Sequence, residues 1–146
     1  MPTPFESAQL NLQLFDLRRD PALREARQWF LTEFHPQTLE DLVADIRGHR
    51  NGAFRMVLGY WDMAASLVTF GAIDREMFLA AHGEIVAAFS KVQPFLDPIR
   101  AAGSPDFCRH VEAVLMADPG MQDLLASRRQ QLRTYYQQQR WPGDEP

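Results

Sequence analysis

Four segments of this chain open on a short polar side chain set directly before a proline: Thr3-Pro4, Asp20-Pro21, Ser104-Pro105 and Asp118-Pro119. Proline is tolerated at the first position of a helix because the N–H there has no partner in any case. A preceding Thr, Asp or Ser oxygen can accept from the free amides of the first turn. Thr3 is followed by Glu6 and Thr38 by Asp41, the spacing of a capping box or its acidic variant. Helices are therefore expected to open near residues 4, 21, 39, 105 and 119.

The apolar residues agree. Phe5, Ala8, Leu12 and Phe15, then Leu23, Ala26, Phe30 and Phe34, keep helical spacing, and no segment of useful length alternates as a half-buried strand does. The spacing predicts helices over 4–18, 21–34, 39–47, 53–70, 75–92, 95–102, 105–117 and 119–139, with Gly48, Gly52, Gly71 and Gly103 where helices stop or the chain turns. The expected fold is all-α, a single compact bundle of about six to eight helices around a central antiparallel hairpin at 53–92. One domain is expected over 1–140, with a frayed tail at 141–146. No repeat, low-complexity tract or long linker divides it.

At 146 residues and 46% hydrophobic, the chain can bury one sizeable core. Its net charge of −4, from 15 basic and 19 acidic residues without strong asymmetry between halves, removes the simple electrostatic case for a nucleic-acid or anionic-membrane partner. One cysteine, Cys108, allows no intramolecular disulfide, so a reducing cytoplasm is the expected compartment. The stretch MPTPFESAQLNLQLFDLRR lacks the basic start and unbroken apolar run of a secretory signal. Residues 53–70 approach membrane-spanning length, but Arg55 and Asp62 would each cost about 2.5–3.5 kcal/mol near the bilayer centre, so no span is expected. Lys91 is the only lysine; an arginine-dominated basic set is the habit of a GC-rich bacterial genome.

Within 53–70 the residues that are not clearly apolar are Arg55, Gly59, Asp62, Ser66 and Thr69, at spacings of 4, 3, 4 and 3. They fall on one narrow stripe of an otherwise apolar helix. The following helix carries Glu76, Gly83 and Ser90, seven residues apart. A tight hairpin turning near Gly71 would set Gly59 opposite Gly83, Asp62 close to the level of His82, and Arg55 near that of Glu84. Two mid-helix glycines, each costing about 1 kcal/mol against alanine, then predict a close helix approach. Three readings of the stripe stand open: a face turned to water, a buried pair or network that fixes register, or a polar pocket made by Arg55, Asp62, His82 and Glu84.

Other constellations point to no chemistry. His82 with Glu84, and His110 with Glu112, are two apart and diverge on a helix; Asp106 and His110 share a face but are only two ligands, so no metal site or cofactor is expected. Cys108 falls in the first turn of the helix expected after Ser104, where a thiolate would be favoured, although a buried cysteine is more commonly inert packing. No nucleophile elbow, phosphate loop or dinucleotide fingerprint occurs, and no catalytic residue is assigned. The segment SRRQQLRTYYQQQR interleaves Arg128, Arg129, Arg133 and Arg140 with Tyr135 and Tyr136, a composition able to track a phosphate backbone. The bland alternative is that these arginines complement a helix C-terminus. Trp29, Phe30, Met56, Tyr60, Trp61 and Met63 are expected to be core.

Two segments, LFDLRRDPALREARQWF at 14–30 and YWDMAASLVTFGAIDREMF at 60–78, resemble an uncharacterised family of bacterial all-helical proteins of the "domain of unknown function" kind. The likeness spans most of residues 5–100, and what it implies is a helical bacterial domain with no known activity, ligand or cofactor. The functional expectation is a soluble structural or protein-interaction module, with self-association as a secondary expectation because the central helix is apolar on nearly every side. The alternatives are small-molecule binding in the central polar pocket and, behind it, nucleic-acid binding through the C-terminal arginines.

Overall fold

The computed structural model describes residues 2–138. Arg140 and the segment 141–146 expected to fray lie outside the described residues. Among the described residues nine α-helices run in the order α1 Pro4–Leu17, α2 Pro21–Thr32, α3 Leu39–Arg47, α4 Asn51–Thr69, α5 Arg75–Ala81, α6 Glu84–Val92, α7 Leu96–Ala101, α8 Arg109–Leu115 and α9 Met121–Gln138. A 3-10 turn at Gln93–Phe95 joins α6 to α7, and among the described residues there is no strand. The protein is a compact all-helical bundle. None of the described helices is long and apolar enough to cross a membrane.

The local signals locate the first three helices. Thr3 and Thr38 form reciprocal capping boxes with Glu6 and Asp41, and the Asp20 carboxylate accepts from Leu23 N at 3.0 Å. Ser104-Pro105 fails to open a helix. The Phe107 carbonyl that would enter a helical ladder is taken by Arg100, whose Nε and Nη2 donate to it at 3.0 and 2.8 Å, and Cys108 adopts a left-handed backbone at φ 55°. Helix α8 therefore begins only at Arg109.

Helix α4 is the hub, packing chiefly on α2 and α8, while α6 packs on α9 and α1 lies on α5. One core cluster runs from Leu14 to Leu125, with Phe30, Phe34, Trp61, Phe78 and Phe89 essentially out of solvent. Burial of each such side chain stabilises by about 1.5–3 kcal/mol. Met56 and Met63, expected in the core, are exposed on the outer face of α4.

The second arm of the central hairpin is not one helix. It breaks at His82, whose φ of −122° and ψ of 46° end α5, and it restarts at Glu84. A side-chain carbon added at Gly59 or Gly83 would meet nothing within 4 Å, so the expected close approach of the two glycines does not occur. Gly59 and Gly83 are both exposed.

Helix α1 is turned the other way from its hydrophobic pattern. Its inward residues are Ser7, Asn11 and Leu14, while Phe5, Leu12 and Phe15 are 69%, 70% and 49% exposed. Polar bonds set this orientation: Asp74 N donates to Ser7 Oγ at 3.1 Å, Asn11 Nδ2 donates to the Met77 carbonyl at 3.4 Å, and the Tyr60 hydroxyl donates to the Leu14 carbonyl.

Lys91 lies at the opposite extreme for a charged residue, 2% exposed. Its Nζ donates to the carbonyls of Phe30, Leu31 and Phe34 at 2.6, 2.8 and 2.8 Å, closing the C-terminal end of α2, where the helix dipole favours a cation. Burial pushes its pKa down to about 7.

Candidate functional site

The stripe on α4 divides between two places. Asp62, half-buried, accepts from the backbone N–H groups of His110 and Val111 at 2.9 and 3.1 Å through the same oxygen. These are first-turn amides of α8, and the residue at its N-cap, Cys108, makes no side-chain cap bond. A carboxylate borrowed from another helix supplies the missing acceptor and complements the positive end of the α8 dipole. Burial pushes the Cys108 thiol pKa up, and the Asp62 charge adds to it, so Cys108 is a neutral packing residue rather than a thiolate in a helical first turn.

Beside this cap lies a cavity of about 620 Å³ between α3, α4, α7 and the 102–108 connection. Leu42, Phe54, Leu58, Ile99 and Phe107 line its apolar part, with Arg47, Arg55, Asp62 and Asp106 among its polar residues. Arg55 is exposed, and no hydrogen bond or ion pair holds its guanidinium among the described residues. Gly59 lines the same space.

His82 and Glu84 belong to a separate network against α1 and α2. Glu84 receives a two-pronged bond from Arg27, Nε at 2.7 Å and Nη2 at 2.8 Å, and a longer contact from Arg18 at 3.5 Å. Arg27 Nη1 also donates to the Arg18 carbonyl at 3.1 Å. The Glu84 hydrogen bond raises the Arg27 pKa above its ordinary value, outweighing burial. Side-chain exposures of 15% and 16% for Arg27 and Glu84 make this a largely desolvated pair, whose separation would leave an uncompensated charge.

His82 is fully buried, ringed by Phe78, Trp61 and Phe15 at centroid distances of 4.9, 6.0 and 6.2 Å. Because Asn11 spends its amide N–H on Met77, its Oδ1 accepts from His82 Nε2 at 2.8 Å, which places the ring proton on Nε2. Burial first, and then the Arg18 charge, lower the His82 pKa and keep the ring neutral. Arg18 lies over the Phe15 and Trp61 rings at 4.7 and 5.5 Å. Its Nε, Trp61 Nε1 and His82 Nδ1 are buried atoms without a hydrogen-bond partner among the described residues.

Of the four residues singled out in the sequence, Arg55 and Asp62 thus share the cavity, whereas His82 and Glu84 share the α1–α2–α6 network. The network's other members, Asn11, Arg18 and Arg27, were not singled out; the signal for Asn11 was its place four residues after Ser7 on a helix whose apolar stripe lies elsewhere. In α9, Arg129 donates to the Ser90 carbonyl at 2.6 Å and Arg133 to Gln37 Oε1 at 3.0 Å, so these two arginines turn toward the bundle.

Comparison with curated proteins gives no match, and neither does comparison with solved structures. A family model does match, over residues 4–116, from the first turn of α1 through the end of α8. On that match across most of its length, the chain belongs to the family described as Domain of unknown function (DUF4760).

Proposed function

We propose that this chain is a bacterial cytoplasmic interaction module that pairs with a second copy of itself through α1. The observation that carries this reading is the outward apolar face of α1, with Phe5 and Leu12 each more than two-thirds exposed while Ser7 and Asn11 are buried. Hydrogen bonds through Ser7 and Asn11 hold α1 in this orientation within the monomer, and they leave its larger apolar side chains in water with nothing among the described residues of the same chain to cover them.

The stripe is also complementary to itself. In an antiparallel pairing about a two-fold axis midway along Phe5, Ala8, Leu12 and Phe15, Leu12 meets the partner's small Ala8 and Phe5 meets the partner's Phe15. The exposed parts of these residues supply on the order of 300–400 Å² per protomer, short of the roughly 800 Å² of a standard stable interface. The dimer is accordingly weak and concentration-dependent.

Sedimentation equilibrium over a wide concentration series tests this. The wild-type chain is expected to pass from monomer to dimer, and Leu12→Glu to remain monomeric with unchanged melting, because Leu12 is 70% exposed. A chain that stays monomeric throughout, or a dimer indifferent to Leu12→Glu, refutes pairing through α1.

The cavity beside the α8 cap favours a second reading. Its volume of about 620 Å³ and apolar lining suit a small amphipathic molecule, with the unpaired Arg55 guanidinium at the rim for an acidic group. Saturable binding of a medium-chain fatty acid that Arg55→Ala abolishes would support it, and binding unaffected by that substitution would remove it.

A further inference from the structure

A second cleft opens where α9 crosses the α2–α3 connection and the 3-10 turn, with a volume of about 340 Å³. Its walls are Pro36, Pro94 and Phe95 on one side and Arg129, Gln130 and Arg133 on the other. Below it a narrow crevice, too tight for water, continues past the same two arginines to His35 and Lys91. Four basic side chains therefore converge on one space, and among the described residues no carboxylate lines either the cleft or the crevice.

The arginines are held but not neutralised. Arg129 Nη1 donates to the buried Ser90 carbonyl at 2.6 Å, and Arg133 donates to the amide oxygens of Gln37 and Gln130 at 3.0 and 2.9 Å. Neither forms an ion pair among the described residues, and Lys91 bonds only to carbonyls. A guanidinium carries five N–H donors, so each arginine keeps spare donors on a side chain already oriented by the protein. Like charges four apart on a helix repel, and here a buried ammonium stands behind them. The field is felt at His35, whose pKa falls to about 4 through burial, the Lys91 charge and, more weakly, the Arg133 charge.

We propose that this cleft binds a small organic phosphate, its oxyanion held between Arg129 and Arg133 and its organic part against Phe95 and the two prolines. A dianion matches the two guanidinium charges, and the planar forks suit two phosphate oxygens each. The cleft is larger than a bare phosphate group needs, and the surplus is walled by apolar rings. Helix α9 lies beyond the residues that match the family, so this site depends on a part of the chain outside the matched segment.

Titration calorimetry of the full chain with phenyl phosphate, inorganic phosphate and phenol tests the proposal. Saturable binding is expected for phenyl phosphate, weaker binding for inorganic phosphate and none for phenol. Arg133→Gln is expected to weaken phenyl phosphate by about tenfold, with Arg133→Lys between it and the wild type. Arg129 supports the Ser90 carbonyl and its loss can disturb packing, so Arg133 is the primary variant and circular dichroism checks both. The His35 ring supplies an independent readout: the bound phosphate, still an anion at the pH where His35 titrates, offsets the neighbouring cations and moves its NMR titration midpoint upward. Absence of saturable heat with phenyl phosphate, binding equal in wild type and Arg133→Gln, or saturation with no movement of the His35 midpoint would each overturn the assignment.

Discussion

A carboxylate on a mainly apolar helix usually invites an ion-pair explanation, and among the described residues Asp62 makes no ion pair. It completes a helix whose own N-cap, Cys108, makes no side-chain cap bond. Asp62→Ala is expected to cost about 1–2 kcal/mol, the usual value of a helix cap. Arg55→Ala, exposed on the same stripe, should change stability by no more than about 0.5 kcal/mol. Urea denaturation of the two variants separates them, and equal midpoints would mean that the borrowed cap carries no weight. The stripe itself was legible in the sequence because 3.6 periodicity shows which residues share a face. Its partners were not, since backbone amides have no residue-type signature and His110 lies 48 positions from Asp62. The same holds for Glu84, whose arginine partners are 57 and 66 positions away.

At the level of the element, helices capped by their own neighbours were read correctly at Pro4, Pro21 and Leu39, because the cap and the amides it serves lie within one turn. Helix α8 was misplaced because Arg100 claims the Phe107 carbonyl, a tertiary event that overrides the Ser104-Pro105 signal. The orientation of α1 departs from its hydrophobic pattern for a related reason. The Phe5, Ala8, Leu12 and Phe15 stripe is the stronger hydrophobic pattern, yet the helix docks by Ser7 and Asn11, whose hydrogen bonds with α5 and His82 are directional where apolar burial is not. The middle of α4 supplies a direct check. Gly59 is exposed and faces open space, so Gly59→Ala should stabilise the protein by about 1 kcal/mol through helix propensity alone. A loss of stability in thermal unfolding would restore the close-approach reading.

At the scale of the whole molecule, both buried histidines among the described residues are kept neutral. His35 and His82 both have pKa values lowered from 6.5 by burial, so the unfolded chain takes up protons below that pH while the folded chain does not. Stability is therefore expected to fall as pH drops below 6.5, and for His35 down to about 4, with a slope of up to about 1.4 kcal/mol per pH unit for each ring. Urea midpoints across that range should show it, and His35→Gln should flatten the slope; an unchanged slope would place the acid sensitivity elsewhere. Lys91 gives a consequence of another kind. As the only lysine it carries the chain's only ε-amine, and the fold seals that amine under the carbonyls of α2. Acylating reagents, cross-linkers and lysine-modifying enzymes thus meet no side-chain amine on the native surface, and covalent modification at Lys91 becomes a stamp left on molecules that have opened.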